Sequence, residues 1–238
     1  MKRSIDVCLS PDLMHLYQVD DHTVVIVDVL RATSCMTTAF AHQIESITPF
    51  AQLPECLSLK AEGYLTAGER DGKKVEGFDL GNSPFEYMNP ALKGKKIAFT
   101  TTNGTQAIAK SIGAKDIIIG SFLNLSAVVN YLRGVQTDDI LVVCSGWKGK
   151  VNLEDTVFAG ALVENLKNDF QYACDAPIMA QRLYSEARHN LAEFLKDSSH
   201  IKRLQGLNIQ RDIDFCLTED QYNLVPVIRD KRIIVVKP

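Results

Sequence analysis

Asp28 and Arg31 stand in the stretch VVIVDVLRATSCMTT, Val24 to Thr38, directly after an aliphatic run. Such a Val- and Ile-rich run reads as a strand buried on both faces, so its carboxyl end delivers Asp28 and Arg31 to the rim of a sheet, where open α/β sheets bind ligands. An anionic substrate needs a cation to neutralise it, and hydrolysis at phosphorus usually needs a carboxylate to hold a metal; one strand end offers both. The simpler alternative is that the two residues cap the following helix and pair with each other.

Four further polar clusters follow expected strands or lie in loops: Gly68, Glu69 and Arg70; Asp79, Gly81 and Asn82; Thr101 to Thr105; and Ser145 to Lys150 leading to Glu154 and Asp155. Carboxylates suit hard cations such as magnesium, and arginine binds phosphate or sulfonate with paired donors. Ordinary ion pairs would account for the same residues. The turn containing Thr101, Thr102, Asn103 and Gly104 has the makings of a phosphate cradle, with a glycine that admits an anion to backbone N–H groups and hydroxyls that add donors; a plain helix cap uses the same residue types. Glu154 and Asp155 open a helix, where the dipole alone favours acids, so they are the weakest metal candidates. His200 lies among Ser198, Ser199, Lys202 and Arg203 and reads either as a site residue or as an exposed helix-end histidine.

The elements that must hold these residues follow from periodicity. Strands are expected at Val7–Leu9, Val24–Val29, Ile44–Phe50, Tyr64–Ala67, Lys96–Phe99, Asp116–Gly120, Ile140–Cys144, Asp214–Leu217 and Arg232–Val236. Helices are expected at Ala32–His42, Leu53–Glu62, Gln106–Ile112, Ser126–Leu132, Glu154–Lys167 (strongly amphipathic) and Pro177–Lys196, and Asp71–Pro90 reads as a long loop. Strands alternating with helices imply a three-layer α/β/α fold with a mostly parallel or mixed central sheet. The segments VIVDVLRATSCMTTAFAH and IAFTTTNGTQAIAKSIGA both run strand, polar turn, small-residue helix, compatible with an internal duplication.

The 238 residues, 46% hydrophobic, fit one domain spanning 1–238. The net charge of -3, from 26 basic and 29 acidic residues mixed along the chain, provides no basic stripe for nucleic acid. No window is apolar enough for a membrane span and the N-terminus lacks the apolar stretch of a signal peptide, so a cytoplasmic protein is expected. Six scattered cysteines without a Cys-x-x-Cys pair read as buried hydrophobes in a reducing compartment rather than a zinc site. A homodimer is left open.

Established phosphatase loops are absent. No cysteine has an arginine six positions later, no Arg-His-Gly triplet occurs, the second aspartate of a haloacid dehalogenase strand is replaced by Leu30, and there is no Walker-type loop. The clusters taken together resemble the 2-phosphosulfolactate phosphatases of coenzyme M biosynthesis. The matching segments are DVLRAT (Asp28–Thr33), AGER (Ala67–Arg70), EGFDLGNSP (Glu76–Pro84), TTTNGT (Thr100–Thr105), GSFLN (Gly120–Asn124), LEDT (Leu153–Thr156), SSH (Ser198–His200), and DFCL with Asp220 and Val225-Pro226. Ile201 after the histidine and Trp147 depart from the pattern and bear on pocket shape.

The resemblance implies a magnesium-dependent hydrolase acting on a small phosphorylated, sulfonated hydroxy acid. Asp28 and Glu69, with Asp79, are the candidate metal ligands; Asp28, Arg31 and Arg70 the catalytic set; and Thr101, Thr102, Asn103, Gly104, Asn82 and Ser145 the substrate-binding set. The rival readings are a non-catalytic binder of a small anionic acid and a sugar-phosphate isomerase or lyase.

Overall fold

The computed structural model describes residues 3–135, 139–207 and 209–235. Its strands are β1 (Ser4–Cys8), β2 (His22–Val27), β3 (Ser46–Pro49), β4 (Leu65–Arg70), β5 (Lys73–Lys74), β6 (Lys96–Thr100), β7 (Asp116–Gly120), β8 (Asp139–Cys144), β9 (Gln171–Tyr172), β10 (Pro226–Arg229) and β11 (Arg232–Val235). The α-helices are α1 (Ala32–Ala41), α2 (Leu53–Ser58), α3 (Gly104–Lys110), α4 (Leu125–Gly134), α5 (Leu153–Leu166), α6 (Asp175–Ala187), α7 (Leu191–Leu195), α8 (Ser199–Gln205) and α9 (Gln210–Cys216).

All the strands join one mixed, mostly parallel sheet in the order β5-β4-β6-β3-β11-β10-β7-β2-β8-β1-β9. Two parallel blocks, β4-β6-β3 and β7-β2-β8-β1, are bridged by the antiparallel β10–β11 hairpin, which touches each block through one residue pair, Val227 with Ile118 and Ile233 with Ile47. The connections repeat. β2 leads through α1 to β3 in the other block, and β6 leads through α3 to β7 in the first, so the expected echo of the two strand–turn–helix segments is a repeat of topology.

Alternation within the strands builds the layers. Val25 and Val27 of β2 pack with Val128, Phe158 and Leu162 on one face, while Val24 and Ile26 pack with Cys35, Met36, Ala107 and Ile108 on the other. α1 is buried from Ala32 to Phe40 although it carries four hydroxyls. It tolerates this because three of the hydroxyls bond back to the main chain, Thr33 Oγ1 donating to Asp28 O (2.9 Å), Ser34 Oγ to Val29 O (2.8 Å) and Thr38 Oγ1 to Ser34 O (2.8 Å), while Thr37 Oγ1 accepts from Ser121 Oγ at 3.3 Å.

Several expectations change. Asp214 to Leu217 is not a strand: Asp214–Cys216 belongs to α9, where Ile213 and Cys216 recur at helical spacing and reach the core. Pro177–Lys196 breaks into α6 and α7, because Asn190 leaves the helical conformation and accepts from the Glu193 amide at 3.1 Å as an N-cap. α5 is not amphipathic, with eleven of its fourteen positions buried, since α6 covers the side that would face water. The long loop 71–90 carries the short strand β5 and a 3₁₀ turn at Pro84–Met88. Val236, expected to end the last strand, lies outside the described residues.

The close approach of α5 to α6 depends on Gly160, where a Cβ would fall 2.0 Å from the Ala180 carbonyl oxygen. Gly160→Ala is expected to cost about 1–3 kcal/mol by overpacking, read as a lower urea midpoint at unchanged slope. A midpoint equal to the parent's would show that the two helices separate freely.

Candidate active site

The carboxyl end of β2 meets the turns after β4, β6 and β8 and the first turn of α8. Asp28 is fixed there by its own helix start: its backbone N–H donates to Thr33 Oγ1 (3.1 Å), Thr33 Oγ1 donates to its carbonyl (2.9 Å), and its Oδ1 accepts from the Ala32 amide (3.1 Å). Oδ2 lies toward Gly104. A Cβ at that position would sit 2.8 Å from Oδ2 and 3.0 Å from Ala32 Cβ, so Gly104 serves the close approach of the two turns.

Three other carboxylates are buried around Asp28. Glu69 accepts from the amides of Gly72 and Thr102, each at 2.7 Å. Asp155 accepts from Val29 N (2.8 Å) and Gly146 N (3.2 Å), tying the start of α5 to the turns after β2 and β8. Glu154 holds Nδ1 of His200 and also accepts from Asn152 Nδ2 at 3.0 Å. Burial raises the Asp28 carboxyl from 3.8 to about 6; the Ala32 amide opposes that shift, and the nearby Glu69 and Glu154 add to it. Asp155 is pushed well above its ordinary value, first by burial, then by Glu154 and Asp28.

The cations come from separate elements. Arg31 is buried, paired through Nη1 with Asp212 of α9, and its Nη2 donates to Gly72 O at 3.0 Å. Asp212 in turn accepts from Ser83 Oγ at 2.9 Å. The Arg203 guanidinium lies 3.6 Å above the Trp147 ring, whose plane is stacked on His200 at 5.5 Å and 21°. Asp28, Arg31, Glu69, Asn82, Asn103, Trp147, His200 and Arg203 together line one polar cleft. A roomier groove lined by Pro49, Phe50, Ile108, Ile112 and Ile228 is mainly apolar, and the charged residues at its edge, Arg229, Asp230 and Arg232 among them, are exposed. No thiolate competes as nucleophile here: burial holds Cys35 and Cys144 well above the usual thiol range and Cys216 at about 12.

The fold thus brings together Asp28, Arg31, Glu69, Asn82 and Asn103, with Gly104 packed behind Asp28. It does not bring in the rest. The Arg70 guanidinium turns to Glu69 O (2.7 Å) and Thr100 Oγ1 (3.0 Å). Thr101 bonds to Thr105, and the Thr102 amide is given to Glu69, so the turn is partly consumed inside the protein. Ser145 lies in the neighbouring cleft with Thr102, Gln106 and Lys148. Asp79 is spent on Thr66 N and Oγ1, both at 2.9 Å, and on Lys60 at 3.2 Å, which fastens the 71–90 loop to β4. His200 is buried at the start of α8 rather than exposed. Asp212 was not anticipated: it lies just before the expected strand Asp214–Leu217, and only the packing of α9 brings it to Arg31.

Among the described residues no group of three or more His, Cys, Asp and Glu side chains is arranged to hold an ion. Glu69 and Asp155 spend both oxygens on backbone amides, whereas Asp28 Oδ2 has no hydrogen-bond partner among the described residues. That donor set fits magnesium in its usual manner with phosphate substrates, in which one or two protein carboxylates share the ion with substrate oxygens and water.

Two outcomes are expected. Arg31→Lys retains charge but loses the paired contact to Asp212 and Gly72, and kcat/KM should fall on the order of tenfold or more with the fold intact; unchanged kinetics would reduce Arg31 to a structural ion pair. Because folded Asp28 holds its proton more tightly than the unfolded chain does, ionising it costs stability as the pH rises from about 4 to about 6. Asp28→Asn should therefore gain stability over the parent at pH 7 but not at pH 4, on the order of 1–3 kcal/mol in chelated buffer; an equal difference at both pH values in thermal melts would contradict this.

Comparison with known proteins bears on the whole chain. The family model for 2-phosphosulpholactate phosphatase matches residues 8–231. A Thermotoga maritima protein named "Probable 2-phosphosulfolactate phosphatase" is 44% identical over 225 residues, 94% of this chain and 95% of its own. Similar proteins of the same name occur in Synechocystis sp., 37% identical over 85% of this chain and 87% of its own, and in Clostridium tetani, 32% identical over 94% and 96%. The strand-end carboxylates and arginine of the cleft lie within the matched region, and the chain belongs to the 2-phosphosulpholactate phosphatase family of phosphoric monoester hydrolases.

Proposed function

We propose that this protein hydrolyses 2-phosphosulfolactate, or a similarly small phosphorylated acid, to the hydroxy acid and inorganic phosphate in a magnesium-dependent reaction. The observation that carries the reading is the Oδ2 of buried Asp28, unpartnered among the described residues, in a cleft shared with the guanidinium groups of Arg31 and Arg203. Asp28 and Glu69 already bring negative charge to this cleft, and Asp212 balances Arg31. A polyanionic substrate therefore meets too little positive charge from the side chains alone, which favours entry of the substrate with a divalent cation.

Asp28 would hold magnesium, which when bound neutralises charge on the phosphoryl oxygens. Arg31, held in place by Asp212 and Gly72, presents a pre-oriented guanidinium that binds anionic oxygens without reorganising. Arg203, supported on Trp147, supplies a second cation to the cleft, suited to a further anionic group of the substrate. Asn82 has a buried Oδ1 without a partner among the described residues and adds a neutral polar contact. Asp28 is also the side chain best placed for direct attack at phosphorus, and an ¹⁸O-water single-turnover measurement distinguishes that route from attack by water.

Phosphate release from 2-phosphosulfolactate and from a panel of phosphorylated hydroxy acids should cease in excess EDTA and return with magnesium. Full turnover in chelator would overturn the metal. Formation of a rearranged organic phosphate without free phosphate would favour an isomerase or lyase, and tight binding without turnover a binding protein.

A further inference from the structure

His200 and Glu154 form a buried contact to which the reading above gives no task. Glu154 is fully buried, His200 is 6% exposed, and Nδ1 of the ring lies against Glu154 Oε1. The second ring nitrogen, Nε2, has no partner among the described residues, and the ring lines the cleft beside Asp28 and Arg31. The stack against Trp147 holds the ring plane, while Ser198 caps α8 by accepting from the Ile201 amide at 3.2 Å and so fixes the backbone under the histidine. A carboxylate on Nδ1 sets both the orientation of an imidazole and the position of its proton. Buried pairs of this kind add little to stability compared with apolar residues of the same volume, which turns attention to chemistry.

We infer that His200, positioned by Glu154, is the general acid that protonates the oxygen leaving phosphorus. This rests on the phosphatase reading. As the P–O bond to the substrate breaks, its electron pair stays on the substrate oxygen, and the proton on Nε2 of the imidazolium passes to that oxygen, giving the hydroxy acid and neutral imidazole. The oxygen that replaces it on phosphorus comes from water, one of whose protons returns to Nε2 while the other stays on phosphate, so the imidazolium is restored. The leaving side is where a proton matters most. In the loose transition state of phosphoryl transfer little bonding to the attacking oxygen has formed, whereas the leaving alkoxide of a secondary alcohol is strongly basic.

The test compares 2-phosphosulfolactate with its 3,3-difluoro analogue, in which fluorine lowers the basicity of the leaving oxygen and keeps every anionic group. His200→Gln is expected to lose on the order of 10²- to 10⁴-fold in kcat on the first substrate. On the analogue the loss should be at least roughly tenfold smaller, since a weaker base needs less help from an acid. Retained turnover of the analogue also shows that the variant is folded. Glu154→Gln, isosteric and still able to accept from Nδ1, should show the same substrate dependence in smaller measure. Equal losses on both substrates, or parent-like kinetics in His200→Gln, would overturn the inference while leaving the phosphatase reading intact. Absence of phosphate release by the parent protein would overturn both.

Discussion

Four carboxylates, those of Asp28, Glu69, Glu154 and Asp155, are buried within one rim of the sheet, and most of the local architecture exists to satisfy them. A buried carboxylate without donors is expensive, so each recruits hydrogen bonds from a different part of the chain. Asp155 joins the turns after β2 and β8, Glu69 joins its own loop to the turn after β6, Glu154 fastens α8, and Asp28 closes the first turn of α1. Segments more than a hundred residues apart in sequence are locked to one another by charges that would repel if left alone.

The compensation is incomplete at Asp28 and at Glu154, whose Oε2 is buried without a partner among the described residues. Asp155 and Glu69 have both oxygens occupied by backbone amides. Asp28 has one oxygen engaged and one directed at the turn around Gly104, and its raised carboxyl reports the unrelieved part of its burial. A group held at some cost to the fold gains when a cation or an electrophilic phosphorus arrives, because binding then relieves what folding left unsatisfied.

The scaffold places these groups by repeating one device. β2 and β6 each end in a polar turn that opens a helix crossing to the other block of the sheet, and the two turns touch at Asp28 and Gly104. One turn carries the charged pair; the other supplies a glycine that admits it and a Thr102 amide for Glu69. In the turn around Thr101 to Gly104 the Thr102 amide supports the neighbouring Glu69 carboxylate, and Asn103 is the member that faces the cleft.

The sequence by itself determined the alternating α/β order, the burial of the Val24–Val27 strand and the arrival of Asp28 and Arg31 at a rim, because each depends on local periodicity and on the residue types that end a strand. It also determined the family, since DVLRAT, AGER, EGFDLGNSP and the other segments match in order through nearly the whole chain. What only the tertiary structure decided were the partners. That Arg70 and Asp79 turn away from the cleft while Asp212 and Arg203 turn toward it, and that His200 is buried against Glu154 rather than exposed at a helix end, depends on contacts between residues tens to almost two hundred positions apart. Residue type gives a side chain its charge and its reach; which of several chemically equivalent partners it meets is settled by the packing of α8 and α9 across the rim, a non-local energy that no window of sequence contains.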